Sequence, residues 1–256
     1  MRAAGRSPNT IALRVGHVRK ILRDLATDDL DAVTTDQLVQ YLARQTWKPN
    51  TRRSYRASLR VFFEWLVGAG MIGTSPAALV PTSPLPRARP HPLPERQYRT
   101  ALATTTDKAL RIGIQLGGQC GLRRAEISRV RREDVVELDG YSLRVVGKGG
   151  HERMVPLPAE LADQLLAQPA GWLFPSPRRP GQPVTAGAIG KWITEAIGPG
   201  HTTHSLRHRC ATVAYRASGG DLRAVQELLG HAKPETTAIY TLIPDSAVRA
   251  AMEGAA

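Results

Sequence analysis

Cysteine is almost absent from this 256-residue chain: Cys120 and Cys210 stand far apart, with no CxxC spacing. That excludes a disulfide framework and a thiolate zinc site. Aromatic residues are only 5%. Long apolar runs are missing too, and the most apolar segment, VFFEWLVGAGMIG, is broken by Glu64 and three glycines. Nothing approaches the length of a membrane-spanning helix. The N-terminal MRAAGRSPNT has no apolar h-region, which argues against a secretory signal. Acidic residues are scarce, 22 Asp and Glu against 35 Lys and Arg, and the formal net charge is +13. Such an imbalance points to a polyanionic partner. Without a spanning run, nucleic acid fits better than a membrane surface. Lysine itself is rare, 6 of the 35 basic residues. A GC-rich coding sequence explains the arginine excess, and phosphate recognition by bidentate guanidinium is the alternative. Either way, a lone lysine stands out.

What is present is enough apolar sequence, 42%, for a packed core in one or two domains. The segment PTSPLPRARPHPLP, residues 81–94, carries six prolines. It reads as an extended, semi-rigid linker. Residues 1–80 read as a helical domain. Ile11, Val15, Val18, Ile21, Leu22 and Leu25 form one stripe, and Thr34 with Gln37 has the spacing of a capping box. In NTRRSYRASLRVFFEWLV, Tyr55, Leu59, Phe62, Phe63 and Leu66 point inward. Arg52, Arg53, Arg56 and Arg60 lie outward with no acid among them until Glu64, which suits a face turned toward phosphates. Residues 95–256, ending in a C-terminal tail, mix helix with a little sheet. The run VVELDGYSLRVVGKGGHERMVPL alternates in period two, with a turn at Asp139-Gly140 and a third strand near 152–157. Ile189, Trp192, Ile193 and Ala196 repeat at helical spacing after Thr185. Leu222, Val225, Leu228 and Leu229 do so after Asp221, and Gly230 ends that helix. The expected fold is mainly α with a small antiparallel sheet, in two domains: a helical domain and a mixed α/β one.

Several short stretches carry chemistry. In CGLRRAE, Arg123 and Glu126 are spaced to pair on a helix. In GKGG, Lys148 sits at a hairpin tip. In HTTHSLRH, a helix starts near His204, so His201 falls outside it and the three histidines do not share one face. Arg207 and Arg209 stand among them with no carboxylate, which favours an anion over a metal ion. Val213, Ala214 and Ala217 continue that helix's apolar spacing after Leu206 and Cys210. His231 follows Gly230, and Tyr240 stands nine residues further on. Taken singly, each has a plain reading as a surface ion pair, a turn lysine, a helix cap or a core tyrosine.

Taken in order, GLRRAE, GKGG, HSLRH, LGH and IY resemble the signature of the tyrosine recombinase (phage integrase) family, and the resemblance spans essentially the whole chain. One departure is Cys120, where Thr is frequent. The N-terminal part resembles the family's core-binding domain, and the resemblance implies a compact form without an arm-binding domain. It further implies a site-specific recombinase that cleaves and rejoins DNA through a 3′-phosphotyrosine and exchanges strands via a Holliday junction. Arg123 and Arg207 would clamp the scissile phosphate. Tyr240 would be the nucleophile, His204 its base, and Lys148 the general acid for the leaving 5′-oxygen. His231 would hydrogen-bond a non-bridging oxygen. Glu126 would orient its neighbours, His208 would pack and hydrogen-bond, and His201 has no assigned role. No metal and no cofactor are called for. Expected partners are double-stranded DNA at a core-type attachment site, a homotetramer on that DNA, and a directionality factor or host DNA-bending protein. No membrane is involved, and the expected place is the cytoplasm, in a bacterial nucleoid or host cell. The alternatives are a chromosome-dimer resolvase, a type IB topoisomerase-like enzyme with the same chemistry, and a non-catalytic repressor of the same fold. The tail after Tyr240, with Val248 and Met252 at i, i+4, suits packing on its own domain or docking on a neighbouring protomer.

Overall fold

Each N-terminal helix begins where the sequence supplies a cap or a proline. In the computed structural model, which describes residues 1, 4–84, 90–147 and 150–230, α1 spans Pro8–Asp24 behind Ser7, whose hydroxyl accepts from the Thr10 N–H. Helix α2 spans Thr35–Arg44 behind the Thr34–Gln37 capping box that the spacing predicts. Helix α3 spans Pro49–Gly68. Ile21, Leu38, Leu59, Phe63 and Leu66 are fully enclosed between these helices. Tyr55 is stacked between His17 and Trp47, with ring centroids 3.8 and 3.9 Å away.

The expected outward arginines of α3 are only partly bare. Arg52 donates to the Gln45 carbonyl (3.0 Å), Arg56 to the Val80 carbonyl (2.6 Å) and Arg53 to the Ser83 carbonyl (3.5 Å). Arg60 pairs with Glu64 at 3.1 Å, one turn on. Chain returning past the helix supplies carbonyls that the helical period alone does not reveal.

The chain divides into two units, Met1–Ala88 and Arg89–Ala256. In the second, α4 spans Glu95–Thr104, α5 Lys108–Gly118 and α6 Arg124–Ile127. Strands β1 (Val135–Leu138), β2 (Gly140–Val146) and β3 (Glu152–Pro156) form an antiparallel sheet in sequence order, as the alternation predicts. Leu138 pairs with Gly140 across Asp139, and Leu143 with Val155. Helices α7 (Ala159–Leu166), α8 (Ala186–Ile197), α9 (Thr203–Ala217) and α10 (Leu222–Leu229) follow. Helix α5 carries Ile112, Ile114 and Leu116 through the centre of this core.

Three expected inward residues face out, Trp192, Val213 and Ala217. Trp192 is 39% exposed and Val213 46%. Helix α8 buries Ile189, Ile193 and Ile197, leaving Trp192 on the rim beside Phe174. The buried stripe of α9 runs through Leu206, Arg207, Cys210 and Ala211, so Val213 and Ala217 turn away. The polar contacts of Arg207 and His208, and not an apolar period, set the rotation of this helix.

The proline-rich stretch is docked near its second end. Leu93 lies in the core of the second unit and its N–H donates to the Ser205 carbonyl at 3.0 Å. Residues 85–89 lie outside the described residues, as do Lys148, His231, Tyr240 and the tail with Val248 and Met252. Among the described residues no helix is long and apolar enough to cross a membrane.

Candidate active site

Arg123 is held in place by buried neighbours. Leu122 and Ile127 are both fully enclosed, and between them the single turn of α6 begins with Arg123 as its N-cap. Glu126 is three residues on and nearly fully buried. Its Oε2 accepts the Arg123 backbone N–H at 2.9 Å and its Oε1 accepts Arg123 Nη1 at 2.9 Å. The predicted pair is therefore present, but on one helical turn and not along an extended helix.

The glycine before this turn has a double reason. Gly121 lies at φ +66°, and a Cβ there would meet Leu229 Cδ2 at 2.4 Å and Cys210 Sγ at 3.2 Å. Only glycine suits both the left-handed backbone and the close approach. The carbonyl it presents accepts Arg207 Nη1, while Arg207 Nη2 donates to the Leu229 carbonyl at 2.7 Å. Arg207 is 1% exposed, the largest fully buried side chain among the described residues. A buried guanidinium is tolerable only with its N–H groups satisfied. Here backbone carbonyls, including one at the C-terminal end of α10, supply part of that satisfaction.

Helix α9 begins at the site. Thr202 caps it, accepting from the His204 N–H at 3.2 Å, and its own N–H donates to Ser205 Oγ at 3.3 Å. His204 therefore sits in the first turn, where the helix end carries partial positive charge. A cavity of about 420 Å³ is lined by Arg123, Arg124, Thr194, Thr202, His204 and Arg207, with Thr203 and Gly190 completing it. Among the described residues no acidic side chain lines it. Two guanidiniums, a third arginine and a helix N-terminus suit it chemically to an anion.

The three histidines of this stretch occupy different places. Partial burial first, and then the charges of Arg207 and Arg123, lower the His204 pKa below its ordinary value. A neutral imidazole at physiological pH is the form that accepts a proton. His208 lies edge-on to His204, with ring centroids 4.3 Å apart, and its Nδ1 accepts the His91 backbone N–H at 2.9 Å. Burial, reinforced by His204, His91 and Arg207, lowers its pKa to about 4. His201 stands beside His91, 4.7 Å between centroids, away from the cavity lining.

Arg209 departs from the expected cationic cluster. It bonds Glu95 at 2.7 and 2.9 Å and the Gly118 carbonyl at 2.7 Å, and it lies 3.8 Å over the Tyr98 ring. The carboxylate missing from its own stretch comes from α4, so Arg209 is structural. Two further residues escaped the sequence reading. His91, in the proline-rich segment, carries no motif that marks it. Arg153 on β3 holds Glu126 through two parallel bonds, 2.9 and 3.0 Å. Its signal was there in principle, because it shares the inward phase of the strand with Val155.

Arg123, His204, Arg207 and Glu126 are thus brought together with His208, whereas Arg52, Arg53, Arg56 and Arg60 stand on α3 in the other unit. The comparisons agree on the kind of protein. The phage integrase family matches residues 93–246. The tyrosine recombinase XerC of Chromohalobacter salexigens is 35% identical over 246 residues, covering 87% of this chain and 80% of that protein. Among solved structures, an integrase from mycobacterium phage Brujita is similar at 28% identity and a TM-score of 0.52, over 96% of this chain and 85% of that one. A lambda integrase dimer bound to a COC′ core site is similar in fold at a TM-score of 0.74 and 21% identity, over 93% of this chain and 73% of that one.

Proposed function

The chain belongs to the phage integrase family, and from that premise we propose how its residues break and rejoin DNA. The enzyme is a tyrosine-type site-specific DNA recombinase. One observation carries the residue-level reading: the cavity where Arg123, Arg207 and the first turn of α9 converge with His204. Arg123 and Arg207 clamp the two non-bridging oxygens and bind the pentacoordinate transition state more tightly than the ground state. His204 takes the proton from Tyr240, whose oxygen attacks phosphorus. A free phenol ionises only near pH ~10, so a base and nearby cations are needed. The P–O5′ bond breaks and Lys148 gives the leaving 5′-oxygen its proton. His231 donates to a non-bridging oxygen. His208 positions its neighbours without reacting.

The ester to Tyr240 keeps the energy of the phosphodiester, so a 5′-hydroxyl from another strand reverses the step without ATP. Exchange between two duplexes breaks four strands, which calls for four nucleophiles and hence a homotetramer passing through a Holliday junction. Arg52, Arg53, Arg56 and Arg60 on α3 are assigned to DNA phosphates. A directionality factor or a DNA-bending protein completes the proposed assembly. Integration of a mobile element is the main reading. The name of the relative from Chromohalobacter salexigens, XerC, favours a second, a resolvase-type recombinase acting between resident sites.

The test is covalent capture. The full chain is incubated with nicked duplexes whose central segment is randomised, and adducts that survive denaturation are recovered and sequenced. The expected outcome is one enriched site, with Tyr240→Phe forming no adduct yet still binding the recovered duplex. Adduct formation by the Phe variant would place the nucleophile elsewhere, and no adduct from the wild type would favour the repressor reading.

A further inference from the structure

Glu126 presents a problem of charge. It is nearly fully buried and bonded to Arg123, the guanidinium assigned to the phosphate. A one-to-one pair of this kind would be neutral and would turn Arg123 away from its ligand. Arg153 changes the balance. Its Nη1 and Nη2 donate to Glu126 Oε1 and Oε2 in the fork-to-fork geometry that is strongest for this pair. Arg123 contributes one guanidinium N–H to Oε1 and its backbone N–H to Oε2. Each carboxylate oxygen thus receives two donors, and its capacity is filled. The three groups together carry one positive charge, and the exposed member of the trio is Arg123: its side chain is 41% exposed, against 17% for Arg153 and 4% for Glu126.

The position of Arg153 serves the same end. It lies on β3, the strand that pairs antiparallel with β2. Gly147, just beyond β2, donates to the His151 carbonyl at 2.7 Å and extends that pairing. Arg153 also packs under Gly230, where a Cβ would come within 2.7 Å of its Cδ. Gly230 follows α10 at φ +61°, and its carbonyl lies 3.4 Å from Arg123 Nη2. Arg153 therefore touches the strand hairpin, α6 and the end of α10 at once. Burial works against the charged form of Glu126, and the bonds from Arg153 and Arg123 outweigh it, holding the carboxyl below the ordinary carboxylate range.

We infer that Arg153 is a positioning residue for DNA cleavage: by neutralising Glu126 through both carboxylate oxygens, it leaves the charge of Arg123 free to act on the scissile phosphate. The inference rests on the recombinase reading and on Arg123 as a phosphate ligand.

The test uses the full chain and the duplex recovered by covalent capture, prepared once with an ordinary scissile phosphate and once with a neutral methylphosphonate there. Single-turnover adduct formation is followed for the wild type, Arg153→Gln, Arg153→Lys and the double variant Glu126→Gln/Arg153→Gln, with DNA binding and thermal unfolding measured alongside. Arg153→Gln is expected to cleave the phosphate about thirtyfold more slowly at unchanged affinity, within the span of coupling seen in ion-pair networks. On the methylphosphonate, whose transition state has lost a negative charge, that deficit shrinks to about threefold or less. Arg153→Lys recovers part of the rate. The double variant recovers about tenfold over Arg153→Gln, because removing the acid removes the need for its partner. An equal deficit on both duplexes, or a double variant slower than Arg153→Gln, overturns the inference in favour of a purely structural role. If Arg153→Gln does not fold, the double variant decides alone: cleavage more than about a hundredfold below wild type on the phosphate overturns the inference. If the wild type forms no adduct, the recombinase reading and the inference fall together. If the wild type cleaves, Arg123→Gln does not and Arg153→Gln matches the wild type, only the inference falls.

Discussion

On α3, Arg60 pairs at the surface with Glu64 across one helical turn, both side chains about half exposed; on α9, Arg207 is 1% exposed and bonded to the carbonyls of Gly121 and Leu229. The residue type is the same and the physics is opposite. A surface pair gains little, because water competes for both charges. A buried guanidinium has no such alternative, and its carbonyl partners have none either. Removing it leaves oxygens stranded at positions 121 and 229, in segments far apart in the chain. Arg60 is an adjustable surface charge, whereas Arg207 is part of the framework of the cavity it also lines.

That contrast is testable by size of effect. Arg207→Met is expected to cost most: two buried carbonyls lose a charged donor, at about 1–3 kcal/mol each. Urea unfolding should show a loss of about 2–5 kcal/mol, and adduct formation should fall at least ~1000-fold. A loss below about 0.5 kcal/mol would erase the distinction between Arg207 and Arg60. Acid comes next. His208 has its folded pKa lowered to about 4, so between pH 6.5 and 4 the unfolded chain binds the proton and the folded one does not. Stability therefore rises with pH across that window, and at pH 4 the penalty reaches about 3 kcal/mol. His204, lowered in the same direction, adds to the same slope. Glu126, held below the usual carboxylate range, contributes stability that is present above its unfolded value near ~4.3 and is lost only as pH falls further. His208→Asn should flatten the melting temperature between pH 4 and 6.5, and an unchanged slope would remove His208 as its source.

Gly121→Ala ranks third. The left-handed backbone costs about 1–2 kcal/mol for a residue with a Cβ, and Leu229 must also move. Chemical denaturation should register at least that loss, and cleavage should fall with it because the Gly121 carbonyl is an Arg207 acceptor. The smallest effect belongs to Arg60→Ala, expected within about 0.5 kcal/mol of wild type in stability. Its mark should instead be on DNA binding, where loss of one phosphate contact lowers the slope of log affinity against log salt by about one. An unchanged slope would assign Arg60 to Glu64 alone.

Most of the fold was legible because it depends on local rules. The Thr34–Gln37 box, the turn at Asp139-Gly140 and the stop at Gly230 are set by residues within a few positions of one another. Trp192 and Val213 were misread because an apolar period fixes a helix face only to within one residue: on α8 Ile189, Ile193 and Ile197 take the core, and on α9 the buried face includes Arg207 and His208. The candidate site was legible as a series of motifs, but its wiring was not. Arg123 and Glu126 are three apart and announce their pairing, whereas Arg153 reaches Glu126 from 27 residues away and Arg209 reaches Glu95 from 114. Such partners are joined by strand phase and helix packing, which no short motif encodes.

The two anchors of Arg207 also bear on how the protein is made. Gly121 precedes it by 86 residues and Leu229 follows it by 22. A chain grows from its N-terminus on the ribosome. A nascent chain that has reached α9 but not the end of α10 holds the guanidinium and only the first of these two carbonyls. In such a fragment the burial of Arg207 lacks the Leu229 carbonyl as an acceptor, which raises its cost. The cavity lined by Arg123, His204 and Arg207 therefore cannot close around this guanidinium in its final form before the end of α10 has been made.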